Sequence, residues 1–264
     1  MTLARATPHT LSPPRTPPEP RVRPASREDV TVVERRNGPE TRQAIVDRFS
    51  ELVADRGFEE ASVSAVAGVV GVSKGTVVHH FPAKDLILQE AHLQYIERRI
   101  REMNRVIERE SDPRRQLSAM MYCIIRAHRD DRAGTVSFLR EFSRFVSSQN
   151  TAHLRALRSE FTSIMSTILR KGDASGVFTI PDITLTTLQV FGMCNYVWTW
   201  YRPEEQASAE KIAAVFARNI LLGFMTGSDP DPSVSVDSLL GFFEGLGDLL
   251  EPVYPAAPPT TNRN

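Results

Sequence analysis

The chain has 264 residues, with 32 basic and 32 acidic side chains that cancel to a formal net charge of zero; 41% of its residues are hydrophobic and 8% aromatic. That is ordinary globular composition, enough for a sizeable core in one or two domains. Two cysteines far apart, Cys123 and Cys194, form neither a metal-ligand spacing nor a disulfide framework, so a reducing, cytoplasmic setting is expected. No apolar run approaches the ~18–20 residues that cross a bilayer, and the Pro- and Arg-rich N-terminus lacks the apolar stretch of a secretory signal.

Residues 1–37 read as a disordered basic tail. Seven prolines fall between Pro8 and Pro24, and five arginines stand against one acid, Glu19, up to Arg27. Proline removes backbone donors, and little apolar surface is present to bury. Order is expected from Gly38-Pro39-Glu40, a helix-start signal. Ile45, Val46, Phe49, Leu52 and Val53 then repeat at helical spacing up to Arg56-Gly57, a basic last turn and a glycine cap. A second helix starts at Ser62 with Val63, Val66, Ala67 and Val70 inward. A third, short helix runs from Ser73 or Lys74 to His80 and is stopped at Phe81-Pro82, because the residue before proline disfavours the α region.

The remainder reads as helix almost throughout. A long helix spans about Ala83–Glu110, apolar at Leu86, Ile87, Leu93, Ile96, Ile100, Met103 and Ile107. Another follows Asp112-Pro113 to about Asp130. Gly134 separates a helix around Phe138–Ser147, the next covers Thr151–Lys171, and Gly172 to Gly176 form a loop. Pro181 starts a helix reaching Tyr201, and Ser208 caps one ending near Gly227. After a Pro/Ser/Asp linker, Leu239 to Leu250 offer a short amphipathic helix, weakened by roughly 1 kcal/mol at each of Gly241, Gly245 and Gly247. No strand alternation is found, so the fold class is all-α. The boundaries are a tail (1–37), an N-terminal three-helix domain (38–84), a C-terminal helical bundle (85–227) and a linker, short helix and Pro-rich tail (228–264).

The informative stretch is Gly57 to Lys84. Two short helices joined by a tight turn form a helix-turn-helix, whose second helix must enter a DNA groove ~12 Å wide with its N-terminal side chains at base edges. Ser73 caps that helix, while Lys74, Gly75, Thr76, Val78, His79 and His80 make up its body. Thr76 combines a hydroxyl with a methyl, suited to thymine or a phosphate. Lys84 opens the following helix, where a cation and free backbone N–H groups can hold a phosphate. The adjacent histidines point about 100° apart on a helix, which suits a groove better than a metal. A nucleophile–base pair, a metal set and a cofactor loop are all missing from the pattern, so neither an enzyme nor a cofactor is expected. The competing reading, a helical enzyme or small-molecule-binding module without DNA binding, would leave these three helices as mere supports of a bundle.

The run Gly71-Val72-Ser73-Lys74-Gly75-Thr76-Val77-Val78-His79-His80-Phe81 resembles the signature of TetR-family transcriptional repressors. Phe49, Gly57-Phe58, Ser62-Val63 and Val66-Ala67 before it, and Lys84-Asp85-Leu86 after it, also fit. The resemblance implies a homodimer that binds double-stranded operator DNA and releases it when a small molecule binds the C-terminal domain. It places Ser62, Ser73, Lys74, Thr76, His79 and Lys84 at the DNA. One departure is Val78, where the family usually has an aromatic residue that reaches a phosphate.

The aromatic segment Asn195 to Pro203 loosely resembles TetR-type regulators of acyl-CoA and steroid breakdown. It implies a largely apolar effector, an acyl- or steroid-CoA thioester. Met103, Met121, Phe138, Phe142, Met165, Asn195 and Trp198 are the candidate lining, because methionine adapts to irregular ligands and pockets are mostly apolar with a few placed polar groups. Asn195 or Arg140 would supply a polar contact. A dimer is expected on the last two long helices, with Ile212, Phe216, Asn219, Ile220 and Gly223 on the interface stripe. No membrane partner is expected.

Overall fold

The computed structural model describes residues 38–145, 152–204, 207–224, 233 and 235–250. The N-terminal tail and its arginines lie outside the described residues. Among the described residues, ten α-helices follow in chain order: α1 Gly38–Arg56, α2 Val63–Val70, α3 Lys74–His80, α4 Lys84–Arg109, α5 Pro113–Asp130, α6 Arg132–Arg140, α7 Ala152–Ala174, α8 Ile183–Asn195, α9 Ala209–Phe224 and α10 Val236–Leu250. Two 3-10 turns interrupt them, Phe142–Phe145 after α6 and Tyr196–Thr199 after α8. Among the described residues there is no strand, and no helix is long and apolar enough to cross a membrane.

Local chemistry sets the helix ends. Ser62, Ser73, Asp112 and Asp182 each accept a backbone N–H of the first turn they precede. Such caps stabilise a helix by about 1 kcal/mol each. Gly57 and Gly71 leave α1 and α2 at φ +88° and +79°, a left-handed region where an L side chain is strained.

Two apolar clusters form the core. One joins α1, α2, α3 and the first half of α4 through Phe49, Phe58, Val66, Val77, Phe81 and Ile87, and extends to Phe138 and Leu154. The other joins the end of α4 to α5, α7, α8, α9 and α10. Helix α5 is its axis, packed against α4, α7, α8 and α9 and buried along most of its length. Several of the charges brought inside are paired. Arg99 and Glu102, almost fully buried on α4, meet at 3.0 Å, and Arg98 reaches Asp131 at 2.8 Å.

Several expected boundaries shift. Gly134 lies inside α6 rather than before a helix, and α6 ends at Arg140. Residues 172–174 continue α7, because buried Gly172 receives the Phe178 ring in space where a Cβ would stand 2.0 Å from it. Helix α8 stops at Asn195 and tightens into a 3-10 turn instead of running to Tyr201. Leu86 and Ile107 are 42% and 39% exposed, since α4 turns these positions away from both clusters. Helix α10 is longer than the glycines foretold. Leu239, Phe243, Leu246 and Leu250 are buried, and Phe243 stacks on Tyr122 at 4.7 Å.

This packing makes the glycines of α10 testable. A Cβ at Gly241 would meet nothing within 4 Å. Gly241→Ala therefore stabilises α10 by up to about 1 kcal/mol through helix propensity, raising Tm by about 2–4 °C. An unchanged or lower Tm would show that the glycine is needed.

Acid tests the buried histidines. Burial, reinforced by the Arg158 charge, pushes His92 down to about 3, and burial pushes His128 down to about 4. Both values lie below the unfolded ~6.5, so on acidification the unfolded chain takes up protons that the native state refuses. Stability is full above about pH 6.5 and falls as pH drops toward 4, with a slope reaching about 1.4 kcal/mol per unit for each histidine. Urea midpoints at pH 7 and pH 5 measure the loss, and His128→Gln should remove about half of it.

Candidate nucleic-acid interface

Helices α2 and α3 are short, and each packs by one narrow face. Val66 and Ala67 on α2 and Val77 on α3 are buried, and Phe81 anchors the end of α3 in the same cluster. The outward positions are thereby fixed. Ser62, Ser73, Lys74, Gly75, Val78 and His79 are exposed, and Thr76 and His80 are half-buried. The tight turn holds because Gly71 N–H and Val72 N–H both donate to the Ala67 carbonyl, each at 3.0 Å.

The capping groups are already engaged. Ser62 Oγ accepts from Ala65 N–H at 3.1 Å, and Ser73 Oγ accepts from Thr76 N–H at 3.0 Å. The Ser73 and Thr76 hydroxyls also bond each other at 2.9 Å. This leaves an outer surface of one exposed ammonium (Lys74), one exposed aliphatic side chain (Val78, 42%) and two imidazoles whose rings meet edge to face at 5.5 Å. Val69 on α2, 56% exposed, extends the apolar part of this face, and sequence periodicity did not single it out.

Lys84 takes a different place from the one expected. Its ammonium donates to the Phe58 and Glu59 carbonyls at 3.2 and 3.4 Å and lies 4.2 Å from the Phe58 ring centroid. The α4 N-terminus itself has no side-chain cap, because Ala83 stands at that position. The cation is therefore bound to the turn between α1 and α2, while the first turn of α4 has no side-chain cap on its backbone N–H groups.

The same turn is gripped from the C-terminal side. Arg140 donates to the Ala54 carbonyl at 3.1 Å, and Glu141 accepts from Phe58 N–H at 3.3 Å. Arg144 pairs with Glu59 at 2.7 Å and with Glu141 at 3.1 Å, and its guanidinium lies 3.9 Å from the Phe58 ring centroid. Arg140 thus serves α1 and not the C-terminal interior. A Gly57-Phe58 dipeptide marks the turn in sequence, but nothing in the spacing marks its partners more than 80 residues away.

The residues expected to line an effector cavity divide. Met103, Met121 and Met165 are fully buried in the C-terminal cluster, whereas Phe138 belongs to the N-terminal one. Phe142 is 45% exposed, and Asn195 and Trp198 are half-buried where α8 becomes a 3-10 turn. On α9, Ile212 and Ile220 are buried in their own subunit's core. The expected interface stripe therefore reduces to half-buried Phe216 and exposed Asn219 and Gly223. Among the described residues no group of three or more His, Cys, Asp or Glu side chains is placed to hold a metal ion.

Comparison with known proteins agrees with this architecture. Residues 45–91 match the family described as "Bacterial regulatory proteins, tetR family", and residues 110–224 match "Tetracyclin repressor-like, C-terminal domain". The HTH-type transcriptional repressor KstR2 of Mycolicibacterium smegmatis is 23% identical over 193 residues, covering 72% of this chain and 93% of that protein. Among solved structures, the TetR family regulator PfmR from Thermus thermophilus matches at TM-score 0.62 and 29% identity, over 67% of this chain and 97% of PfmR. AibR, crystallised with isovaleryl coenzyme A and operator DNA, matches at TM-score 0.60 and 20% identity, over 67% of this chain and 96% of AibR. With both family regions in order along one all-helical chain, the helix-turn-helix and the bundle behind it identify the protein as a member of the TetR family of DNA-binding transcriptional repressors.

Proposed function

We propose that this repressor reads its operator with α3 and releases it when an apolar acyl- or steroid-CoA thioester binds the C-terminal bundle. The observation that carries the reading is the clamp on the α1–α2 turn. Arg140, Glu141 and Arg144, at the end of α6 and in the following turn, hold the segment that leads into the helix-turn-helix. A shift of α6 would therefore move α2 and α3. A ligand acts only through a difference in affinity between two such arrangements. KstR2 is described as a ketosteroid transcriptional regulator, and AibR was crystallised with an acyl-CoA and its operator. Both relatives support the ligand class proposed here.

At the DNA, Lys74, Thr76, Val78 and His79 form the groove-facing set in this reading. With Val78 in place of an aromatic, readout at that position is by apolar contact, as with a thymine methyl. Ser62, Ser73, Gly75 and His80 flank it, and the α4 N-terminus beside Lys84 meets the phosphate backbone.

Gel shifts with the chain's own upstream DNA test the function. Operator binding is expected, with release by long-chain acyl-CoA or steroid-CoA thioesters and not by CoA alone. Release by an unrelated cationic drug, and by none of the thioesters, would replace the ligand class. Thr76→Ala should weaken operator binding by about 1–3 kcal/mol while sparing random duplex. Lys84→Ala should weaken both alike through the turn it holds, with the salt slope unchanged. A slope reduced by about one would instead make it a direct phosphate contact.

The dimer in this reading uses the open edge of α8 and α9. Leu185 and Leu188 on α8 are 65% and 58% exposed, Tyr196 is 66% exposed, and Leu222 on α9 is 36% exposed. On α9, Phe216 is half-buried and Asn219 and Gly223 are exposed, and Gly223, lacking a Cβ, allows close approach of a second copy. Two reading helices must stand about 34–36 Å apart to meet successive major grooves, so the pairing has to hold the two copies at that distance. Sedimentation of Leu188→Glu should show a folded monomer with lost operator binding, because the substitution places a charge in the apolar seam. A folded variant that stays dimeric would move the interface elsewhere.

A further inference from the structure

Arg158 on α7, half-buried as a residue, is an exception among the arginines that bury donor groups. Arg99, Arg98 and Arg126 are paired with Glu102, Asp131 and Asp130 respectively. Arg158 has no ion pair among the described residues, and its Nε and Nη2 are buried without a hydrogen-bond acceptor. Its guanidinium lies on two aromatic rings, 4.3 Å from the Phe142 centroid and 5.2 Å from that of Phe138. The rings meet edge to face at 5.5 Å, and buried His92 packs on Phe138 at 5.0 Å. Burial lowers the Arg158 pKa with nothing to offset it, and Arg158 in turn helps to keep His92 neutral. A guanidinium stays charged, and desolvating it without a counter-ion is costly.

We propose that Arg158 is the anchor for an anionic group of the effector, a carboxylate or phosphate, taken in bidentate fashion beside Phe138 and Phe142. The proposal deepens the effector reading above and rests on it for its regulatory meaning. A planar fork of donors matches either anion, and charge-assisted bonds of this kind are among the strongest available. The rings supply an apolar wall for the start of the chain that carries the charge.

Access explains how binding is felt at the DNA. Phe142 is 45% exposed and lies over the guanidinium, so in this proposal that ring moves aside when an anion takes Nε and Nη2. Phe142 opens the 3-10 turn Phe142–Phe145, which also carries Arg144, the residue bound to Glu59 and to the Phe58 ring. Displacing the ring and disturbing the clamp on the α1–α2 turn are one movement of four residues.

Calorimetry on the full-length, DNA-free protein tests the site with decanoate, decanoyl-CoA and neutral 1-decanol. The wild type is expected to bind at least one anionic probe roughly tenfold or more tightly than decanol, as one charge-assisted contact implies. Arg158→Gln should lose that preference and leave decanol unchanged. Phe142→Ala, an exposed position that should fold normally, is expected to bind the same anion several-fold more tightly because the cover is gone. Decanoate against decanoyl-CoA separates carboxylate from phosphate recognition. Equal affinities for anion and decanol in the wild type, absence of binding by every probe, anion binding undiminished in a folded Arg158→Gln, or no gain in Phe142→Ala would each overturn the proposal. Anions that bind through Arg158 yet never release operator DNA would leave the site standing and remove the effector reading instead.

Discussion

The ring of Phe58 is a point where the turn leading into the helix-turn-helix is held by side chains from later in the chain. It sits 3% exposed in the turn between α1 and α2, with Phe49 against its edge at 6.0 Å. Two cations share its π-system, Lys84 from the start of α4 and Arg144 from the turn after α6. Two like charges on one ring repel, and the arrangement holds because Glu59 lies between them, 3.6 Å from Lys84 and 2.7 Å from Arg144. Each cation–ring contact contributes about 0.5–2 kcal/mol. That is enough to set an orientation and small enough for a ligand to shift it. Ser62, four residues beyond Phe58, caps α2, so the angle at which α2 and α3 leave the body is decided here.

Interior charge shows the same balance between rigidity and release. Along α4, α5 and α6, Arg98, Arg99 and Arg126 are each matched with a carboxylate, and His92 and His128 are held neutral against the Ser137 and Cys194 carbonyls. Removing one partner from such a pair leaves a charge buried alone, which costs about 3–5 kcal/mol. This region should therefore keep one arrangement. The corner around Arg158 and Phe142 lacks that matching, and no ion pair holds its guanidinium among the described residues.

The N-terminal half was legible in sequence because its signals are local. Ser62, Gly71, Ser73 and Pro82 set helix ends within four residues of themselves, and α1 to α3 form where they were read. The C-terminal half depends on partners remote in the chain. Gly172 reads as a helix breaker, yet it is a seat for Phe178 inside α7. Leu86 and Ile107 keep the helical period but fall outside the packed sector of α4. Lys84 was correctly placed at a helix start, but its direction is set by carbonyls 25 and 26 residues earlier. Spacing finds the methionines and phenylalanines but cannot assign them to one cluster or the other, and it gives no sign that Arg158 lacks a counter-ion.

Helix α10 limits how much of α9 stays uncovered. It lies beyond residue 224, where the family match ends, and it packs on α5 and α9. Arg105 and Arg109 of α4 hold its last turns through the Leu249 and Gly245 carbonyls. Helix α9 is thus covered on one side by α5 and on another by α10, and its buried residues account for both contacts. The uncovered part carries Asn219, Leu222 and Gly223, and the corresponding edge of α8 carries Leu185 and Leu188. Leu185 and Leu188, exposed at i and i+3 on α8, form a surface that water does not favour and that another apolar edge can match. By occupying one face of α9 in cis, α10 leaves Asn219, Leu222 and Gly223 as the part of that helix on which the proposed two-fold pairing depends. In that proposal, the short glycine-rich helix that was hardest to read from sequence restricts how the reading heads can be spaced on DNA.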